Sequence, residues 1–229
     1  SSSAKSKFGV RSLESFVLPS GGRAFKVNGR TIRLVGGAWI PDFLLSWSAA
    51  RYRDEIRLMA QGNATVVRVN GCGIMPPDVF FDACDEHGLL VWEDFSRTSV
   101  SPQHRKDGIE SRRPPSCPPT VYMDNMIDCI SRMRGHASVL LWCGSNEDAP
   151  QEDTGRALQD KVLPKMDGTR IFLPSSSEQP HWSAVDICTY TGGPWHMVRV
   201  PEYFQLFSSA KGFESRNEIG LASVPTINT

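Results

Sequence analysis

Short apolar runs alternate along the chain with longer stretches in which apolar positions recur every three or four residues. The apolar runs have the length of buried strands, and the longer stretches have the periodicity of amphipathic helices. The runs that we predict as strands are 32–35, 65–69, 89–92, 139–142, 170–173, 185–190 and 211–218. The predicted helices are 48–60, 77–87, 120–134, a weaker one at 153–163 and a short one at 201–209.

An antiparallel hairpin is predicted before this alternation begins. Apolar and polar positions alternate on both sides of Asn28-Gly29. This pattern predicts a tight turn, because both central residues of such a turn need a positive φ. The preceding stretch, 8–18, has partial strand character and ends in a turn cluster at 19–22.

Seven strands that alternate with helices predict a parallel sheet covered by helices. An open doubly wound sheet and a (β/α)8 barrel both satisfy this pattern. A nucleotide-binding open sheet would carry G-x-G-x-x-G after its first strand, and Gly36-Gly37 does not match that motif. Polar residues instead follow many of the strands, whose carboxyl ends converge on one mouth in a barrel: Asp42, Asn70, Asp94, Glu147, Ser175, Tyr190 and Glu218.

We therefore predict an α/β fold, an incomplete (β/α)8 barrel of about seven βα units. The eighth strand has no counterpart in the pattern, because the sequence reaches Thr229 eleven residues after Glu218. The expectation is a fragment of a longer protein.

Composition narrows the possible partners. The 229 residues include 25 Lys plus Arg and 25 Asp plus Glu, so the formal net charge is zero, and 40% of the residues are hydrophobic. This balance is typical of a globular protein, and the lack of a basic run argues against nucleic-acid binding. No apolar stretch approaches the roughly 20 residues of a membrane span, so no membrane partner is predicted. The cellular compartment stays open.

The cysteines do not predict a metal site. None of the six is part of a C-x-x-C pair, whereas a zinc site normally has such short paired spacings. No metal and no cofactor is predicted. We interpret the cysteines as small buried hydrophobic residues rather than as a disulfide framework: Cys72, Cys84, Cys117, Cys129, Cys143 and Cys188.

Two glutamates follow predicted strands. Glu147 ends the stretch WCGSNE after the fourth strand, and Glu218 lies in NEIG at the end of the seventh. In a barrel the two would face each other across the mouth. Glycosidic cleavage needs two opposed carboxyl groups, because one protonates the leaving oxygen while the other attacks the anomeric carbon. From these residues alone, surface glutamates in loops remain an equally good interpretation.

Four stretches occur in the order and spacing of one enzyme family. Residues 25–37 read FKVNGRTIRLVGG, 63–69 read NATVVRV, 80–95 read FFDACDEHGLLVWEDF and 136–147 read HASVLLWCGSNE. Together they resemble the catalytic barrel of family 2 glycoside hydrolases, in the branch of the β-mannosidases and exo-β-glucosaminidases. The resemblance runs from residue 8 to the end of the sequence. Residues 8–11 look like the last strand of the immunoglobulin-like domain that precedes such barrels.

This resemblance implies a domain division and an activity. Residues 1–22 would be the end of the preceding β-sandwich domain and a linker, and residues 23–229 the catalytic barrel, truncated at its C-terminus. The expected activity is that of a retaining, exo-acting β-glycosidase on an oligosaccharide or glycoside substrate. Other domains of the parent chain would be its protein partners.

The resemblance also assigns roles to site residues. Glu147 would be the general acid/base, Glu218 the nucleophile, and Asn146 would bind the sugar 2-hydroxyl. Tyr190 would donate a hydrogen bond to Glu218, as a tyrosine there does in relatives. Glu214 is a rival nucleophile, but only Glu218 also lies at the carboxyl end of its strand.

Four further residues are predicted to contact the substrate or the nucleophile. Arg68, at the end of the second strand, is a cation that would keep Glu218 ionised. Trp195 lies on a loop after the sixth strand and is the best candidate for a sugar-stacking platform. Asp42 resembles an aspartate that meets the amino group in exo-glucosaminidases. Asn70 replaces both the glutamate that those enzymes have there and the tryptophan that is usual in mannosidases.

Two other interpretations of the chain remain. A non-catalytic carbohydrate-binding barrel, or an inactive fragment of such an enzyme, would fit the missing eighth strand, because an open barrel exposes strand edges. An unrelated α/β interaction domain would leave the ordered motifs unexplained.

Overall fold

The computed structural model describes residues 8–19, 21–42, 44, 46–96, 119–177, 179–187, 199, 201, 217 and 218. The first elements form an antiparallel sheet in the order β1 (Leu13–Val17), β2 (Arg23–Val27) and β3 (Arg30–Ile32). Asn28 and Gly29 join β2 to β3 with φ angles of 51° and 74°. The predicted hairpin is therefore confirmed.

A parallel sheet of five strands follows: β4 (Gly36–Trp39), β5 (Val66–Val69), β6 (Leu90–Asp94), β7 (Val139–Cys143) and β8 (Ile171–Leu173). The strands are adjacent in chain order, and each neighbouring pair is parallel. With helices between the strands, this is the arrangement of a (β/α)8 barrel. It confirms the predicted incomplete barrel over the part of the chain that the structure describes.

The predicted sixth and seventh strands are mostly untested. Residues 185–187 are described and are not a strand. The rest of both predicted strands lies outside the described residues, apart from 217 and 218, which are not in a strand either. The predicted helix at 201–209 also lies outside them, apart from residue 201.

The first barrel strand was predicted at the wrong place. It is β4, at Gly36–Trp39, rather than 32–35. Apolar side chains drew the prediction upstream, because glycines are poor strand formers. The glycine is needed here, since a Cβ built on Gly36 would lie 1.6 Å from the carbonyl oxygen of Val66. The close approach of β4 to β5 therefore depends on Gly36.

The helices agree with their apolar periodicity. They are α1 (Ala49–Gln61), α2 (Asp78–His87) and α3 (Pro119–Met133), followed by α4 (Glu152–Ala157), a π-helical turn (Leu158–Val162) and α5 (Leu163–Met166). The Ser48 hydroxyl caps α1 by accepting a hydrogen bond from the Arg51 amide at 3.1 Å. In the described part of the chain, no helix is long and apolar enough to cross a membrane.

Buried side chains form two cores, one on each face of the parallel sheet. The outer core packs the sheet against the helices, for example Val67 and Val91 against Phe80 and Ile130. The inner core fills the barrel around Trp92, Leu141 and Leu173, and the hairpin contributes Phe25 to it. The antiparallel sheet thus covers the amino-terminal end of the barrel, which leaves the carboxyl end for a site.

The segment before β1 lies along that amino-terminal end. The amide of Gly9 donates to the carbonyl of Gly135, and the Arg11 guanidinium donates to the carbonyls of Ala137 and Val139 at 2.6 and 2.7 Å. Residues 8–11 are not a strand, although the resemblance predicted one. β1 pairs with β2 across the predicted boundary between residues 22 and 23. The division into domains and the preceding immunoglobulin-like domain stay predictions.

A half-buried carboxylate fastens α2 to the turn before β7. One oxygen of Asp85 accepts the Ser138 amide at 2.7 Å, and the other contacts Nδ1 of His136 at 2.7 Å. Burial opposes ionisation of Asp85, but the hydrogen bonds from His136 and Ser138 outweigh it, so the pKa of Asp85 is lowered. The charged form therefore stabilises the fold at neutral pH.

Replacing this carboxylate should cost stability in a pH-dependent way. We expect Asp85→Asn to lower the free energy of unfolding at pH 7 by about 1.5–3 kcal/mol, the usual contribution of a hydrogen bond to a charged group. Because the folded-state pKa lies below the unfolded one, the loss should shrink as the pH falls through the folded-state value. Urea unfolding at pH 7 and at pH 3 measures both effects.

The neighbouring Glu86 offers a matched control. It forms an exposed ion pair with Arg53 at 2.8 Å, and such pairs contribute about 0–1 kcal/mol. An Asp85→Asn variant no less stable than Glu86→Gln at pH 7 would contradict the structural role of Asp85.

Candidate active site

Arg68 is the centre of a buried polar cluster at the carboxyl end of the sheet. Its Nε and Nη2 atoms donate to one carboxylate oxygen of Asp94 at 3.0 and 2.6 Å, and Nη2 also donates to Asn146 Oδ1 at 2.6 Å. Its Nη1 donates to Glu218 Oε1 at 2.7 Å and to the Asn217 carbonyl at 3.3 Å. These five hydrogen bonds equal the five N–H groups of a guanidinium. A sugar hydroxyl could gain a donor from Arg68 only by displacing one of them.

Asp94 is the fixed anion of this cluster. It is almost fully buried at the end of β6. One of its oxygens accepts the Trp92 indole N–H at 2.7 Å, and the other accepts the Gly71 amide at 3.2 Å besides the two bonds from Arg68. Burial disfavours the Arg68 cation, but the charges of Asp94 and Glu218 outweigh it and raise the pKa of Arg68. Arg68 is therefore a cation at neutral pH.

Asn146 is oriented by its neighbours. Its carbonyl oxygen accepts from Arg68 and, at 3.3 Å, from the side-chain amide of Asn70. Its Nδ2 is then directed to Sγ of Cys72, 3.6 Å away, on the loop after β5. Asn70 also holds that loop, since its side-chain oxygen accepts the Cys72 amide at 2.8 Å. The contacts therefore fix which end of the Asn146 amide is the donor at this loop.

Glu147 has an unusual backbone. Its φ of 64° lies in the left-handed region, which residues with a Cβ rarely adopt. The Glu147 amide donates to the hydroxyl of Ser176 at 2.8 Å, and its carbonyl accepts the hydroxyl of Ser175 at 2.9 Å. Both serines follow β8, so the next strand along the sheet holds this residue.

The structure brings the two predicted catalytic glutamates to the same end of the barrel. Glu218 is partly buried and bound to Arg68. The side-chain amide of Asn217 donates to the carbonyl of Ser176, whose hydroxyl holds Glu147. The segments that carry the two carboxylates are therefore linked through a single residue of the β8 loop.

Asp42 is engaged by its own loop. Its carboxylate accepts Nη1 of Arg51 at 2.7 Å and the backbone amides of Leu44 and Ser46 at 2.8 and 3.5 Å. The Arg51 side chain and the Leu44 amide lower the pKa of Asp42. The carboxylate therefore organises the turn between β4 and α1, and its charge is balanced by Arg51.

The described tryptophans are mostly buried. Trp39, Trp92, Trp142 and Trp182 are all buried. Trp47, which the sequence did not single out, is partly exposed on the loop after β4. Tyr190 and Trp195 lie outside the described residues.

The cysteines agree with their interpretation in most positions. Cys84, Cys129 and Cys143 are free and buried, as predicted. Cys72 is exposed, and in this respect the prediction is wrong. Cys117 and Cys188 lie outside the described residues. Within the described ranges, no group of three or more His, Cys, Asp or Glu side chains could hold a metal ion.

Three residues of the cluster were missed or left open by sequence reasoning. The sequence predicted Asp94 only as a polar residue at the carboxyl end of a strand, and the structure pairs it with Arg68. Cys72 and Ser176 gave no recognisable signal, because their partners are distant in sequence. The sequence indicated only that Ser176 follows the carboxyl end of a predicted barrel strand.

A (β/α)8 barrel with two glutamates and an arginine–aspartate pair at its carboxyl end has the architecture of a glycoside hydrolase. Residues 46–196 match the family model described as "Glycosyl hydrolases family 2, TIM barrel domain". The chain belongs to this family, as the sequence motifs predicted.

Named relatives refine this assignment. The chain is 30% identical over 262 residues to a mannosylglycoprotein endo-β-mannosidase of Lilium longiflorum, which covers 100% of this chain and 26% of that protein. It is 32% identical over 256 residues to β-mannosidase B of Neosartorya fischeri, covering 97% and 29%. A crystal structure of an Amycolatopsis orientalis exo-chitosanase superposes with a TM-score of 0.81 at 25% identity, covering 98% and 26%. The chain thus spans less than a third of the length of each of these proteins.

Beside the cluster, Glu93 of β6 points into the outer core. It is fully buried, and neither carboxylate oxygen has a hydrogen-bond partner among the described residues. Burial raises the pKa of Glu93 well above its ordinary value, and the charge of Asp94 adds to this rise. The charge of Arg132 opposes it. Glu93 is thus a neutral acid under conditions where an exposed glutamate is ionised.

Removing this acid should stabilise the fold at neutral pH. As the pH rises above about 4.5, ionisation of Glu93 stabilises the unfolded chain, while the folded chain is not ionised there until its raised pKa is reached. We expect Glu93→Met, a change of similar size, to raise the melting temperature at pH 8 by several degrees and to gain less at pH 4. Calorimetry across this range tests it.

Asp124, exposed on α3, provides the comparison. Asp124→Asn should show no such growth of stability with pH. A Glu93→Met protein that is destabilised equally at both pH values would mean that Glu93 has a partner or that methionine does not fit.

Proposed function

We propose that the protein is a retaining, exo-acting β-glycosidase that hydrolyses its substrate by double displacement. The observation that carries this proposal is the linkage of Glu147 and Glu218 at one barrel end, through Asn146 and Arg68 on one side and Ser176 and Asn217 on the other. Membership of family 2 supports the reaction class.

Each step follows from the properties of a carboxyl group. In the first step Glu218 attacks the anomeric carbon, the glycosidic C–O bond breaks, and Glu147 gives its proton to the leaving oxygen. In the second step Glu147 takes a proton from water, whose oxygen attacks the same carbon and releases Glu218. Two inversions at one carbon give net retention.

Arg68 has a positioning role in this scheme. It orients one oxygen of Glu218 at 2.7 Å and places a positive charge beside this carboxylate. Since all its donors are used, it acts on the nucleophile and on Asn146 rather than on the sugar. Asn146 would present its Nδ2 to the 2-hydroxyl, where a hydrogen bond that strengthens in the transition state contributes to the rate.

The charges of the cleft favour a neutral sugar. Binding of an ammonium needs a carboxylate that is not already neutralised. Asp42 is paired with Arg51, Asp94 with Arg68, and Asn70 carries no charge. We therefore favour β-mannosides over β-glucosaminides, in agreement with the names of the relatives from Lilium and Neosartorya.

Glutamine substitutions test the two catalytic roles separately. We expect Glu218→Gln to lower kcat/KM at least a thousandfold for every aryl glycoside, because no covalent intermediate forms. Glu147→Gln should be similarly inactive on poor leaving groups and far less impaired on a 2,4-dinitrophenyl glycoside, which needs no protonation. Steady-state kinetics measures both, and proton NMR of the first product detects retention.

The exposed Glu152 on α4 is the control, because Glu152→Gln leaves both carboxylates in place. Full activity in Glu147→Gln or Glu218→Gln would refute the role given to that residue. An unmodified protein that binds but never cleaves glycosides would instead be a carbohydrate-binding barrel. First-formed product of the α configuration would exclude retention.

Substrate preference is the second test. We expect kcat/KM for p-nitrophenyl β-mannoside to exceed that for the β-glucosaminide at least a hundredfold at pH 6, where the amine is protonated. A reversed preference would show that Asp42 leaves Arg51 to bind the amine. Release of mannose alone from a manno-oligosaccharide supports exo action, whereas internal cleavage would assign the endo mode named for the Lilium relative.

A further inference from the structure

The left-handed backbone of Glu147 needs an explanation from its surroundings. Such a conformation is unfavourable for a residue with a Cβ and persists only where neighbouring contacts enforce it. The peptide groups on both sides of this residue are bound by the β8 loop, since Ser176 Oγ accepts the Glu147 amide at 2.8 Å and Ser175 Oγ donates to the Glu147 carbonyl at 2.9 Å. The two hydroxyls thus hold the conformation from opposite sides.

Ser176 is itself rigidly placed. It is fully buried, and its amide donates to the Ser145 carbonyl at 3.1 Å. Its carbonyl accepts the side-chain amide of Asn217. A hydroxyl with so many fixed neighbours can transmit a defined position to Glu147.

We propose that Ser176 is a positioning residue for the general acid/base Glu147, an inference that rests on the proposed function. Its hydroxyl fixes the Glu147 peptide in the left-handed conformation, and this sets the direction of the carboxyl group toward the glycosidic oxygen. Proton transfer needs the two heavy atoms within hydrogen-bond reach, so a small rotation of this peptide lowers its rate. Ser175 assists from the carbonyl side.

The substitution Ser176→Ala isolates the effect of the hydroxyl on the position of Glu147. It removes only the hydroxyl, while the backbone contacts of residue 176 with Ser145 and Asn217 can remain. The link to Glu218 is therefore preserved, and the defect should fall on protonation of the leaving group. Attack by the nucleophile on a substrate that needs no protonation should be nearly unchanged.

The experiment compares leaving groups in the full-length protein. For Ser176→Ala we expect kcat/KM to fall at least tenfold with a phenyl β-mannoside and less than threefold with the 2,4-dinitrophenyl compound, because kcat/KM reports the first chemical step. Ser175→Ala should show the same dependence with a smaller loss. Ser177→Ala, in an exposed neighbour on the same loop, should behave as the unmodified protein.

Several outcomes would overturn the inference. Equal losses with both leaving groups in Ser176→Ala would indicate general disruption, and no loss would show that Glu147 holds its position unaided. If Ser176→Ala does not fold, judged by its melting curve, Ser175→Ala decides, and its lack of leaving-group dependence refutes the proposal.

Glu147→Gln, assayed in parallel on the same compounds, separates this result from the proposed function. A steep leaving-group dependence there, together with none in the serine variants, would reject only the role of Ser176. No leaving-group dependence in Glu147→Gln would reject the role of Glu147 itself.

Discussion

The ion pair between Arg68 and Asp94 is the constraint on which the candidate site depends. Two charges are removed from water inside the barrel, and their attraction repays this cost only when the remaining donors and acceptors are also satisfied. Trp92, Gly71 and Asn146 supply partners within the barrel, and Glu218 supplies a further one at its mouth. The same requirement that makes the pair stable thus fixes Glu218, the proposed nucleophile, and Asn146, which precedes the proposed acid/base.

The opposite end of the barrel uses polar groups for a different purpose. There the buried Arg170 donates to the carbonyls of Val139, Arg134 and His136, and it pairs with Asp167. These bonds satisfy backbone groups at the start of β7 and tie them to the turn before β8. Charged residues at this end stabilise the fold, whereas those at the carboxyl end form the candidate site, as is usual in such barrels.

Sequence reasoning succeeded where local chemistry decides the structure. Asn28-Gly29 specifies its turn, and the apolar spacing of α1 to α3 located them to within about one residue. It failed at β4, where Gly36 is required by contact with β5 rather than by its own propensity. The motifs singled out Arg68, Asn146 and the two glutamates, which the structure places at one end of the barrel, but they did not predict that Asp42 pairs with Arg51. Arg51 lies on α1, nine residues after Asp42, so whether the two side chains meet depends on how α1 packs.

Ser176 illustrates why part of the site is not readable from sequence. A serine after a strand is compatible with a solvent-exposed loop, and only the tertiary arrangement shows that its hydroxyl meets the amide of Glu147. The left-handed φ of Glu147 cannot be predicted from the sequence either, because the position is occupied by neither glycine nor asparagine, the residues that usually adopt it. Preorganisation of a catalytic group has this form in general, since the strain at one residue is maintained by contacts from another strand. Under the proposed function, the β8 loop therefore belongs to the catalytic apparatus although it carries neither carboxylate.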